Sequence, residues 1–72
     1  MRRHDAPGPM LTPRELDVIR LAADGHPNAE IARLLHVSTG TVKSHLQHAF
    51  EKLEAPDRAA AVARAIRRGL VN

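Results

Sequence analysis

The polar residues with the most chemical potential lie together in Ser38-Thr39-Gly40-Thr41-Val42-Lys43-Ser44-His45, followed by Gln47 and His48. Nucleophilic catalysis does not suit them. Ser44 and His45 are adjacent, and neighbours on a helix point apart, so they cannot work as a nucleophile and its base. His45 and His48 are three residues apart and could share a metal, but two histidines without further ligands make a poor site. The chain has no glycine-rich phosphate loop and no pair of carboxylates suited to acid–base work, so no enzymatic activity, cofactor or metal is expected. What remains is hydrogen bonding. Lys43, Ser44 and Gln47 offer donors and acceptors within one helical turn, a set suited to base edges and phosphates.

Those side chains must be carried by a helix from about Thr39 to Leu53. Counting about 100° per residue from Val42 at 0°, Leu46 falls at about 40°, Ala49 at about 340° and Leu53 at about 20°, forming an apolar seam. Opposite it lie Lys43 at about 100°, Gln47 at about 140°, Gly40 at about 160° and Ser44 at about 200°. Glu51, at about 180°, is a full turn further on, where the helix is expected to leave any groove. His45 borders the seam, and His48 sits on a flank where it could reach a phosphate. Ser38 is the expected N-cap. Thr39 and Thr41 stand at the helix N-terminus, where they either donate to a phosphate or cap the helix.

A short apolar helix, Asn28 to Leu35, precedes this one. Ile31, Ala32, Leu34 and Leu35 form its apolar side, and Glu30 and Arg33 face out. Two starts fit: Asn28 as the cap, or His26 followed by Pro27 at the first helical position. Ala32 is small enough for a close helix crossing, His36 tolerates the left-handed conformation that the turn requires, and Val37 covers the turn. A short helix, a tight turn and a longer helix make a helix-turn-helix, which places its second helix in the DNA major groove.

Two further helices complete an all-α, four-helix bundle-like domain. Thr12-Pro13-Arg14-Glu15 is a capping box with proline at the first helical position, and Leu11 can staple onto Leu16. The first helix then runs from about Pro13 to Asp24, with an apolar stripe of Leu16, Ile19, Ala22 and Ala23 and Gly25 as a left-handed stop. Ala55-Pro56 ends the long helix, and Asp57 caps a last one from about Arg58 to Arg68. Its apolar face is expected to be Ala61, Val62, Ala65 and Ile66, with Gly69 closing it and Leu70 and Val71 folding back. Residues 1–10, including Pro7, Gly8 and Pro9, show no periodicity and read as a disordered lead or linker. Residues 11–72 form the domain.

At 72 residues the chain is one domain at most. It has no cysteine, which excludes disulfides and thiolate zinc sites. No apolar run is long enough to span a bilayer, and the N-terminus lacks a signal-peptide apolar region. The net charge is +3. Residues 1–10 carry +1, residues 11–36 carry −1 and residues 37–72 carry +3, so the basic excess lies with the candidate recognition helix and the C-terminal residues beyond it. That sign suits a polyanion. Phe50 is the only aromatic residue. A platform for stacking unpaired bases is therefore missing, which favours duplex DNA over single strands or RNA.

Several ordered segments resemble the LuxR-type (GerE-type) DNA-binding domain. They are Leu11-Thr12-Pro13-Arg14-Glu15-Leu16, Asn28-Ala29-Glu30-Ile31-Ala32, Ser38, Thr41-Val42-Lys43, His45, Lys52-Leu53, Asp57-Arg58, Ala61-Val62 and Gly69-Leu70-Val71. The likeness covers about Met10 to Val71. It implies a cytoplasmic, nucleoid-associated transcription regulator, either the C-terminal output domain of a response regulator or a small stand-alone protein. It also implies a homodimer on repeated half-sites of double-stranded DNA, with RNA polymerase as a further partner. Lys43, Ser44 and Gln47 would face bases, while Thr39, Thr41, His48 and Asn28 would meet phosphates. The last helix would supply the dimer contact through Ala60, Ala63, Arg64 and Arg67. Ala29 stands where a lysine is common, Pro27 where serine or threonine is common, and Ala49 where a branched residue is usual. A sigma-factor-like promoter-recognition domain has a similar helix-turn-helix, but Thr41-Val42-Lys43-x-His45 and the closing Gly-Leu-Val disfavour it. A helical protein-interaction module built on the alanine-rich last helix is the reading from another class.

Overall fold

The computed structural model describes residues 10–71. Residues 1–9, most of the expected lead, and Asn72 lie outside the described residues. Four helices follow one another: α1 Pro13–Ala23, α2 Asn28–Leu35, α3 Thr39–Leu53 and α4 Arg58–Arg67. α1, α2 and α4 all pack on α3, and α1 also touches α2 and α4. α3 is thus the central element, with one side committed to the core.

Local chemistry sets the boundaries. The Thr12 hydroxyl accepts from the Glu15 amide at 3.1 Å, and Glu15 Oε1 accepts from the Thr12 amide at 2.9 Å, completing the capping box. Ser38 Oγ caps α3 by accepting from the Thr41 amide, and Asp57 Oδ1 caps α4 by accepting from the Ala60 amide. α2 differs from both expected starts. Pro27 itself occupies the cap position with extended backbone and no side-chain acceptor, and helical geometry begins at Asn28.

All four helices stop in the same way. A residue with positive φ follows each one: Gly25, His36, Glu54 and Gly69. The next amide then donates five residues back, from His26 to Leu21, Val37 to Ala32, Ala55 to Phe50 and Leu70 to Ala65. This is the Schellman arrangement, which satisfies carbonyls that the helix end would leave open. His36 takes the left-handed conformation expected for the turn. Glu54 also does so, one residue ahead of the Ala55-Pro56 stop.

The core is Val18, Ile19, Ala22, Ile31, Ala32, Val42, Leu46, Ala49, Leu53, Ala61, Ala65 and Val71. The whole expected α3 seam is buried. Leu11, Leu16, Val37, Phe50 and Leu70 pack partly buried around it. Three faces depart from expectation. On α1 the buried residues are Glu15, Val18, Ile19 and Ala22, a face rotated by about 60° from the expected stripe, leaving Leu16 and Ala23 half-buried. On α2, Leu34 is 42% exposed, because it points about 80° away from the middle of the Ile31 and Leu35 side that meets the core. On α4 the buried centre is Ala61 and Ala65, and Ile66, about 120° from it, is 48% exposed.

Candidate nucleic-acid interface

α3 presents Gly40, Lys43, Ser44 and Gln47 as exposed residues on the side opposite its buried seam. Thr39 is exposed at the first turn, and Thr41 is half-buried with its hydroxyl 2.9 Å from Ser38 Oγ. The Thr41 hydroxyl therefore joins the cap, whereas Thr39 faces solvent. A Cβ added at Gly40 would meet only Ser38 Oγ at 3.8 Å, so the fold leaves that position open. Among the expected base-facing residues, Lys43 and Gln47 line one open groove of about 690 Å³ with Asn28, Phe50, Pro56 and Arg58, and with the acidic Glu51 and Glu54 toward the C-terminal end of α3. Ser44 does not line it.

The expected phosphate-facing residues do not form one cluster. Asn28 begins α2 and borders the groove from the far side. His48 lies on the other flank of α3, its Nδ1 4.0 Å from Glu15 Oε2. On α4, Ala63 and Arg67 are exposed, while Ala60 and Arg64 are half-buried. The Arg64 guanidinium donates to the Leu53 carbonyl at 3.1 Å, tying the end of α3 to α4. The exposed apolar residues of α4 are Ala59, Ala63 and Ile66.

Two polar contacts that sequence reasoning missed hold α3 and α2 in place. Glu15 is buried, with 4% exposure, and its Oε1 accepts from Lys52 Nζ at 2.8 Å. Lys52 Nζ also donates to the Met10 carbonyl at 3.3 Å. Burial pushes the Glu15 carboxyl up, but the hydrogen bonds from Lys52 and the Thr12 amide, with the Lys52 charge, outweigh it and hold the group below the usual carboxylate range. The first turn of α1 is thereby pinned to α3. The only signal in the sequence was the position of Lys52, at about 280° on the flank of the α3 seam.

The second contact starts at Arg58, the first residue of α4. Its Nη1 donates to Asn28 Oδ1 at 2.7 Å, and its Nη2 donates to the His26 carbonyl. His26 Nδ1 in turn meets Glu30 Oε1, and Arg33 reaches Glu30 Oε2 at 3.3 Å. The His26 hydrogen bond holds the Glu30 carboxyl below its ordinary range, aided by the Arg33 charge, against a smaller opposing effect of desolvation. No group of three or more metal-ligating side chains occurs among the described residues, and His45 and His48 stand without a third ligand there.

The helix order, the three-residue turn His36–Ser38 and the exposed polar side of α3 define a helix-turn-helix. The family model described as GerE, bacterial regulatory proteins, luxR family, matches residues 9–65. The chain belongs to the luxR family. That family is one of transcription regulators, not enzymes. This luxR-family domain is 49% identical over 82% of its length to an HTH-type transcriptional regulator of Mycobacterium tuberculosis, Rv0890c, of which it spans 7%. It is 42% identical over 86% of its length to the response regulator protein VraR of Staphylococcus aureus, of which it spans 30%. The LuxR-type receptor VqmA of Vibrio cholerae, described as a dimer in the absence of its target DNA, matches at a TM-score of 0.85 and 28% identity, the match covering 100% of this chain and 33% of its own. The domain therefore corresponds to a small part of each of these proteins. Among the described residues, no helix is long and apolar enough to cross a membrane.

Proposed function

We propose that this domain binds specific sequences in double-stranded DNA by laying the N-terminal half of α3 in the major groove, and that it serves as the DNA-binding output of a transcription regulator. The observation that carries this reading is the two-sided character of α3. Val42, Leu46, Ala49 and Leu53 are buried, while Gly40, Lys43, Ser44 and Gln47 are exposed and carry no acidic side chain among them. Gln47 and Lys43 have the side-chain types that pair with base edges, and Ser44 adds a hydroxyl. Thr39, Thr41, Asn28 and His48 are the proposed phosphate contacts that set register around them.

The regulator is either a response regulator, as VraR is by name, or a small stand-alone protein. It acts in the cytoplasm, at the nucleoid, with RNA polymerase as a further partner. Two copies meet on repeated half-sites through α4, using Ala63 and Arg67 with Ala60 and Arg64 at the margin. Ile66, 48% exposed on α4, supports α4 as the contact, and VqmA, a dimer by description, supports pairing as such. The test is selection of bound duplexes from a random library, followed by titration of the selected one-site and two-site duplexes. A shared motif, bound far more tightly than scrambled DNA at the same salt, supports the reading. Equal affinity for selected and scrambled duplexes overturns it.

A further inference from the structure

We infer that Arg58 is a positioning residue for DNA binding, which orients the Asn28 amide so that its N–H groups face a DNA phosphate. The inference rests on the reading of α3 as the DNA-facing helix. Arginine only donates hydrogen bonds, so the Asn28 atom 2.7 Å from its Nη1 has to be the carbonyl oxygen. That fixes the amide rotamer and leaves Nδ2, with two donors and no partner among the described residues, on the other side of the side chain. Asn28 is half-buried and borders the same groove as Lys43 and Gln47. α2 begins there without a side-chain cap, because Pro27 has no acceptor to offer. The second donation from Arg58, to the His26 carbonyl, fixes the backbone just ahead of Asn28. One planar guanidinium thus holds both the side chain and the chain leading into it, across 30 residues of sequence. Lysine could keep the charge but not this two-point grip.

The test is a double-mutant cycle read in DNA affinity across a range of salt, using N28A, R58K, the pair, and K43A as a control. Loss of a neutral donor to a phosphate should weaken binding by about tenfold without changing the salt slope. N28A is expected to show that loss. R58K, with its charge intact, is expected to lose nearly as much, and the double variant no more than N28A alone. Urea unfolding of each variant accompanies the titrations, and R58Q replaces R58K if the latter does not fold. A wild-type affinity for R58K, or losses that add in the double variant, overturns the inference. If N28A and R58K bind as wild type while K43A is weakened, the positioning role falls and the α3 reading stands. If K43A is also unchanged, the α3 reading falls with it.

Discussion

Replacing Glu15 with glutamine separates the two tasks of that side chain. Glutamine serves in a capping box as glutamate does, so the bond from the Thr12 amide survives. The ion pair with Lys52 does not. Its Nζ lies 2.8 Å from Glu15 Oε1, with the glutamate side chain 5% and the lysine side chain 23% exposed. Hydrogen bonds to charged groups contribute about 1.5–3 kcal/mol. Lys52 keeps some water and glutamine keeps an acceptor, so the expected loss for Glu15→Gln is at the lower end, about 1–2 kcal/mol. With a urea dependence of about 1 kcal/mol per molar for so small a domain, the unfolding midpoint should fall by about 1–2 M at neutral pH. The effect should depend on pH with a definite sign. Folding lowers the Glu15 pKa from its ordinary 4.5, so the carboxylate's contribution is complete above that value and is lost as pH falls through the lower folded value. Glutamine has no such titration, so the gap between the two proteins should close in acid. Urea melts of both proteins from neutral to strongly acid pH provide the check. Equal midpoints at neutral pH, or a gap that stays constant into acid, would refute the reasoning.

Other predictions concern packing and backbone. Ala32 is buried where α2 meets the core, and Ala32→Leu should overpack it by about 1–3 kcal/mol; an unchanged urea midpoint would show slack at that contact. Glu54 is exposed and holds a left-handed conformation at φ 56, so Glu54→Gly should relieve about 1–2 kcal/mol of strain and return about half of it as unfolded-chain entropy. A thermal melt should show a small net gain in stability, and a lower Tm would contradict this account of the α3 stop.

The fold was legible because its signals are local. Capping residues at Thr12, Ser38 and Asp57 and the apolar period of α3 act within a few residues of themselves. The exposed polar side of α3 followed from that same period. What escaped the sequence depends on distant partners. Glu15 reads as a capping residue, but Lys52 from α3 neutralises it, so it lies buried on the same side of α1 as Val18. Asn28 reads as a cap, but it is the first helical residue, and its side-chain carbonyl accepts from the Arg58 guanidinium. Leu34 and Ile66 are apolar and helical, yet short helices bury only a narrow arc, and both fall outside it. Periodicity finds an apolar stripe but does not say which part of it the neighbouring helices cover.

The central claim is that the exposed face of α3 reads DNA. Its most direct test is titration of wild type, Lys43→Ala and Gln47→Ala against a selected operator and scrambled DNA at several salt concentrations. A bidentate side-chain contact to a base edge contributes about 1–3 kcal/mol of discrimination. Gln47→Ala should therefore lose specific affinity by about that amount, relax preference at one base pair and keep most of its nonspecific binding. Lys43→Ala should weaken both modes and lower the salt slope by about 1 if the ammonium neutralises a phosphate. If it reads guanine instead, preference at that position should relax as well. If both variants bind the operator as wild type does, with the same salt slope and the same preference at every position, α3 is not the reading helix and the account is wrong.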